Sequence, residues 1–399
     1  MNFPLADLKA GPIVDRACYT EPAIFDAEIH NIFERAWLFV AHASELPEPG
    51  DFQTTELAGQ PVIAVRGDNR EIRVLFNTCR HRGSLVELDR EGKRDSFRCC
   101  YHHWEYGLDG RLLNVPREEG YGAAFSKDDY PLVPVPQMAV RDGLIFASLD
   151  PDTPPFEDYL GPAAADANEV ATYNGRELVV LGRYDFSYNG NWKMLFENTF
   201  DDYHAQYLHA GAYQLRGYEY GKSYGGQKKG ENHTRAPTAH GIHCALAWIE
   251  DAETLEYQTE RLRHLHLGIF PSFLGLFHPG WDVTNYRILR PEAVDRTKVI
   301  NYVLGPANAD EERRKQIAER FHYSYGPGGR IGLDDVRVFE YLQKGLKAKI
   351  GGDVLFTRGL DVDGPVGGPA DEHPIRAFWS GWRQFMQDDV DQPLVDAAE

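Results

Sequence analysis

Two short segments constrain this chain more than anything else in it. Cys79-Arg80-His81 and Cys99-Cys100-Tyr101-His102-His103-Trp104 each set a thiol and an imidazole within a few residues. Each follows a stretch that reads as a β-strand, residues 72–76 and 96–98. Two such loops can share one metal centre only where neighbouring strands bring their tips together. The region around them is therefore expected to be a small β domain with two adjacent loops.

A pair of cysteines and a pair of histidines, one of each per loop, suits a [2Fe–2S] cluster with two thiolates on one iron and two imidazoles on the other. Zinc accepts the same four ligands, but zinc modules usually pair Cys with Cys and His with His. Neutral imidazoles raise the potential of such a cluster, which suits an electron relay fed by a stronger reductant. In the second loop Cys99 with His102 and Cys100 with His103 both read C-x-x-H, so two registers stand open. The cysteines number five (Cys18, Cys79, Cys99, Cys100, Cys244), and an odd count argues against a disulfide scaffold. Met1-Asn2-Phe3-Pro4-Leu5-Ala6-Asp7 has no leader pattern, so a cytoplasmic protein is expected. No run of eighteen apolar residues predicts a membrane span. The formal net charge of −19 disfavours a nucleic-acid surface and fits either plain solubility or an acidic docking face for a redox partner.

The remaining chain falls into segments. Phe25, Ile29, Ile32, Phe33 and Ala36 are spaced for a helix over 22–37, with Thr20 and Pro22 as start signals. From about 37 to 150 short strands alternate with turns at Gly67-Asp68-Asn69, Asp109-Gly110 and Asp142-Gly143. Asp150-Pro151-Asp152-Thr153-Pro154-Pro155 reads as a linker. Beyond it the patterns predict a helix over 191–209, strands over about 235–305, helix over 309–348, and a glycine-rich loop over 351–368. A last amphipathic helix carries Ile375, Phe378, Trp379, Trp382 and Met386. Among the strands, Thr284, Tyr286 and Ile288 alternate with the polar Asn285 and Arg287. The apolar stretch from Leu265 to Phe277 reads as buried sheet or as pocket lining. The fold class is α+β.

A second cluster of metal-ligand types lies in 191–209, where His204 and His209 stand five apart behind a run of acids. On a regular helix positions i and i+5 differ by about 140° and would not share a metal. Chelation requires the helix to end or widen near Tyr207, as a π-bulge would do, and Gly211 permits an exit.

Both clusters resemble one family. Cys79-Arg80-His81-Arg82-Gly83, then 17 residues after His81, Cys99-Cys100-Tyr101-His102-His103-Trp104 resembles the Rieske motif of ring-hydroxylating oxygenases, C-x-H-R-G followed by C-x-Y-H-G-W. The resemblance selects Cys79, His81, Cys99 and His102 as ligands of the [2Fe–2S] cluster and leaves Cys100 a non-ligand; His103 departs from the small residue of the pattern. Residues 191–209 resemble the family's N-W-K…E-N-x-x-D-x-x-H-x-x-x-x-H. That match implies His204 and His209 as ligands of a mononuclear Fe(II), Asp201 as a bridging acid and Asn198 as a neighbour of the iron. Residues 334–345 resemble the late pattern acid-D-x-x-x-x-E-x-x-Q-x-G, which selects Asp335 as the third ligand, with Asp334 as runner-up.

The resemblance covers about residues 20 to 390. It implies an N-terminal helical segment (1–36) packed with the catalytic domain, a small antiparallel β Rieske domain (37–150), and a larger catalytic domain (151–399) with a central antiparallel sheet flanked by helices. It further implies a terminal oxygenase component that uses O₂ to hydroxylate a small aromatic substrate, aromatic acids included. Its electrons come from a separate NAD(P)H-dependent reductase, with or without a ferredoxin, because no G-x-G-x-x-G turn follows a strand here. The implied assembly is a homotrimer, with or without a small beta subunit, in which electrons cross between subunits at Asp201. Demethylation of an N- or O-methyl group, and an electron carrier without oxygenase activity, are the competing expectations.

Overall fold

The structure is a computed structural model that describes residues 8–173, 175–211, 229–233, 243–250, 262–278, 283–326, 328–348, 350–361, 366–367 and 371–387. The expected strand region 235–305 and glycine-rich stretch 351–368 lie partly outside these residues, as does the Cys244 side chain. The chain forms two compact units, one of Phe33–Thr153 and one of Met1–Ile32 with Pro154–Glu399.

The smaller unit is built from short antiparallel strands. Gln60–Arg66 pairs with both Asp51–Leu57 and Ile72–Phe76, and Glu105–Tyr106 pairs with both Phe97–Arg98 and Leu112–Asn114. A third small sheet joins Leu38–His42, Leu144–Ser148 and Gln137–Arg141. The Asp142-Gly143 turn that closes its hairpin has φ of 49° and 85°, the left-handed pair that two-residue hairpin turns demand. Phe52, Ile63, Val65, Leu75, Phe97 and Trp104 meet in one core with Cys79 and Cys99.

In the larger unit nine described strands form one antiparallel sheet. At its centre, Leu262–Ile269, Phe273–His278, Val283–Ala293, Arg296–Pro306 and Arg176–Tyr188 lie side by side in that order. One face, bearing Gly275 and Tyr286, packs on Val170 of the helix Ala164–Ala171. The other face meets the helices that carry the second histidine cluster. A Cβ at Gly268 would stand 2.6 Å from Phe196 Cζ, so this close approach of sheet and helix requires glycine.

The helices depart from the sequence pattern at three places. Residues 22–37 are an α-helix only over Pro22–Glu28 and continue as a π-helical turn, Ile29–Phe33. The expected helix 309–348 is two, Glu311–Tyr325 and Gly332–Leu346, parted by a glycine-rich turn. The expected helix 191–209 is also two, Lys193–Thr199 and Asp202–Leu208. Periodicity is blind to these breaks because apolar residues keep a helical spacing on both sides of them.

Asn191, Trp192 and Lys193 tie the sheet-facing helix to the chain's beginning. Glu28 is fully buried and accepts from Lys193 Nζ at 2.5 Å, Trp192 Nε1 at 2.8 Å and Trp382 Nε1 at 2.6 Å. Lys193→Met would leave that carboxylate with indole partners only. The variant is expected to lose about 3–5 kcal/mol of unfolding free energy. Lys193→Met with Glu28→Gln should recover most of it; denaturant titration of the three proteins checks both.

Candidate metal centres

In the smaller unit the two Cys/His loops meet. Cys79 and Cys99 are buried, while Cys100 is exposed. The loops are tight: Gly83 N donates to Cys79 O at 2.9 Å, His103 N to Cys99 O at 2.9 Å and Cys99 N to Trp104 O at 2.9 Å. His103 sits at φ 60° and closes the second loop. The His81 and His102 rings lie 4.5 Å apart, and His81 stacks on Trp104 at 4.9 Å with an interplanar angle of 6°. The Tyr106 hydroxyl is 3.3 Å from Cys79 Sγ and accepts from Arg80 N at 3.0 Å. His81 Nε2 meets the Tyr121 hydroxyl at 3.2 Å, whereas His81 Nδ1 is buried without a protein partner. Burial, with His102 and Arg82 nearby, holds the His81 imidazole below its usual pKa and so favours the neutral form. Two buried thiols and an inward, unpartnered imidazole nitrogen make a donor set that fits a [2Fe–2S] cluster.

In the larger unit the break after Thr199 makes the second site. Asp201 caps the helix Asp202–Leu208, its Oδ1 accepting from Tyr203 N at 2.8 Å and His204 N at 3.3 Å. Asp201 and His204 thus meet across a helix N-terminus rather than along a helical face. The helix ends at Leu208 and His209 is its C-cap, so an ending and not a π-bulge turns the i, i+5 pair toward one point. His204, His209 and Asp335 offer ligand atoms that all lie within 4.8 Å of one another. Asp335 Oδ1 is 3.2 Å from His209 Nε2 and 3.6 Å from His204 Nε2. Asp334 lies on the other side of His209, Oδ2 to Nδ1 at 3.6 Å. Asn198 Nδ2 is 3.2 Å from His204 Nε2 and 3.3 Å from Asp335 Oδ1. The His204 Nδ1 is 3.4 Å from Asp201 Oδ2. Burial pulls the His204 pKa down, but the Asp201 hydrogen bond and the Asp335, Asp201 and Asp202 charges outweigh it and raise it overall. Two imidazoles and one carboxylate at this spacing fit a divalent iron with open positions.

Several contributors carried no signal of their own in the chain. Tyr106 and Tyr121 touch cluster-loop residues across 27 and 40 positions. Glu197, next to Asn198, is buried and accepts from Tyr19 OH at 2.6 Å and Trp379 Nε1 at 2.9 Å. Its burial raises the carboxyl pKa to about 7 against those donors. Only the Glu-Asn pair of the 191–209 pattern hinted at it.

Known proteins resemble this chain over most of its length. The family described as Ring hydroxylating alpha subunit (catalytic domain) matches residues 175–388, and the Rieske [2Fe-2S] domain matches residues 36–135. The alpha 2 subunit of the terminal oxygenase component of terephthalate 1,2-dioxygenase from Comamonas sp is 30% identical over 402 residues, covering 92% of this chain and 94% of that protein. The toluate 1,2-dioxygenase subunit alpha of Pseudomonas putida is 29% identical, covering 90% and 85%. Among solved structures, naphthalene 1,2-dioxygenase from Rhodococcus sp. bound to indole superposes with a TM-score of 0.83 at 25% identity, covering 96% of this chain and 95% of that one. A quaternary ammonium Rieske monooxygenase shares the fold with a TM-score of 0.78 at 22% identity, covering 97% and 100%. The chain belongs to the ring-hydroxylating oxygenase alpha subunits. It is an oxidoreductase of the Rieske type, whose cofactors are a [2Fe–2S] cluster and a mononuclear iron. Among the described residues no helix is long and apolar enough to cross a membrane.

Proposed function

We propose that this chain is the terminal oxygenase of a ring-hydroxylating system acting on an aromatic acid, with the cluster held by Cys79, His81, Cys99 and His102 and the iron by His204, His209 and Asp335. The observation that carries the reading is the convergence of the two imidazoles and Asp335 within 4.8 Å, on the helices over the sheet. The relatives named for terephthalate, 2-halobenzoate, toluate and anthranilate favour an aromatic carboxylate as the substrate class. When bound, the iron activates O₂ with electrons that arrive through the cluster.

The chain's own residues do the rest. Asp201 Oδ2 stands 3.4 Å from His204 Nδ1, on the side of the ring away from Asp335, and so favours the tautomer that turns Nε2 toward Asp335. Asn198 sets its amide beside the same pair, 3.2 Å from His204 Nε2 and 3.3 Å from Asp335 Oδ1. Glu197, held by Tyr19 and Trp379, anchors the turn that positions Asn198. In this reading Asp201 also links the site electrically to a neighbouring copy in a homotrimer, fed by a reductase with or without a ferredoxin.

Asp335→Ala removes the only anionic member of the triad and is expected to empty the mononuclear site, lowering iron from three to about two per chain. Asp334→Ala removes only an outer contact to His209 and should cost about 10-fold in iron affinity or less. Iron analysis after dialysis separates them; equal losses would refute the choice of Asp335. The function itself is tested with reconstituted reductase and a panel of aromatic carboxylates, scoring oxygenated product. Oxygen uptake without product would refute it.

A further inference from the structure

Strand alternation ordinarily turns a polar set of side chains to water. Here the polar set faces the helices that carry the metal site. The strand register defines two rows on that face: His266, Leu276, Asn285 and Val303 in one, and Gly268, Leu274, Arg287, Asn301 and Tyr184 in the next. His266 Nδ1 donates to Thr199 O at 2.9 Å, on the helix whose Asn198 reaches His204 and Asp335. Arg287 rests on the ring of Tyr325 at 5.2 Å, at the end of the helix that precedes the Asp335 helix. The rows and the triad therefore share one side of the sheet and one set of covering helices.

Two side chains in these rows have polar atoms without a protein partner, and a third carries a buried charge with no carboxylate beside it among the described residues. Asn285 is 0% exposed, and neither its Oδ1 nor its Nδ2 has a hydrogen-bond partner. Asn301 is 1% exposed with an unpartnered Nδ2. Arg287 is 8% exposed, and no carboxylate among the described residues pairs with it. Buried amides are almost always satisfied, and a buried guanidinium without an anion is costlier still. Water would serve the two amides but would not bring the negative charge that Arg287 lacks.

We propose that Arg287, flanked by Asn285 and Asn301, binds the carboxylate of the aromatic substrate and so sets the enzyme's preference for anionic over neutral rings. The inference rests on the aromatic-acid reading above and deepens it. A planar guanidinium matches a carboxylate in two-point geometry, and the asparagine amides supply further donors on the same face.

The test is anaerobic calorimetric titration of the holoenzyme with benzoate, 2-hydroxybenzoate and terephthalate, each against its amide. Wild type should bind at least one acid more tightly than the matching amide. Arg287→Gln should weaken acid binding on the order of 10- to 100-fold and leave amide binding within about threefold. Arg287→Lys, which keeps the charge, should restore part of the loss. Asn285→Asp offers Arg287 an internal carboxylate and should weaken acids similarly, which keeps the test open if Arg287→Gln does not fold. Wild type that binds none of the acids, or acid binding unchanged in both Arg287→Gln and Asn285→Asp, overturns the proposal; the latter is also what an acid held by the iron alone would give. Product assays on the same proteins separate the two readings. Arg287-dependent acid binding without any oxygenated product sinks the aromatic-acid function and leaves the anion site standing. Product formed equally well by Arg287→Gln does the reverse.

Discussion

Asp201→Asn is expected to lower coupled product formation on the order of 100-fold or more while both metals stay bound. The substitution isolates the charge from the fold. Asp201 Oδ1 caps the Asp202–Leu208 helix through Tyr203 N and His204 N, and asparagine caps a helix as well as aspartate does. The helix, and with it His204, should keep its place. What changes is Oδ2, which faces His204 Nδ1. An amide NH₂ there would set donor against donor, or rotate away and leave the imidazole unoriented. Asp201→Ala would add the loss of the cap, about 1 kcal/mol, and would confuse the two effects. Single-turnover product yield with pre-reduced cluster, beside iron content and thermal midpoint, reads the result. Wild-type turnover in Asp201→Asn would end the bridging role.

Cys99→Ser is expected to abolish the cluster, and with it all turnover, whereas Cys100→Ser should leave both intact. The two neighbours differ in surroundings, not in spacing. Cys99 lies 2% exposed in the core beside Cys79, Phe97 and Trp104, while Cys100 faces solvent. A buried serine in that core is a poor ligand for iron, since thiolate is what such clusters require. The brown colour and the electron paramagnetic resonance signal of the reduced protein report the cluster. Loss of that signal in Cys100→Ser, with retention in Cys99→Ser, would move the proposed ligand register to Cys100 and His103.

The chain's own pattern carried the two-loop Cys/His inventory, the small antiparallel β unit and its turns, because thiols, imidazoles and Asp-Gly turns announce themselves locally. It also carried the pairing of a histidine cluster with a distant acid, though through resemblance rather than geometry. The break at Phe200 was not legible. Asp201 acts there as a cap, and a cap inside a continuous apolar period looks like any other helical residue. Regular helical geometry argued against His204 and His209 sharing a point. The observed C-cap at His209 removes that objection.

What the sequence by itself determined was the stock of candidate ligands and the kinds of element that hold them, since donor chemistry and local periodicity reside in neighbouring residues. Which face of the sheet meets the helices that carry His204 and Asp335 was decided only in three dimensions. Asn285 and Arg287 alternate with apolar residues as a water-facing set would, yet they are buried beneath helices formed from residues far away in the chain. Burial is a property of the whole packing, and no local pattern encodes which side of a strand a remote helix will cover.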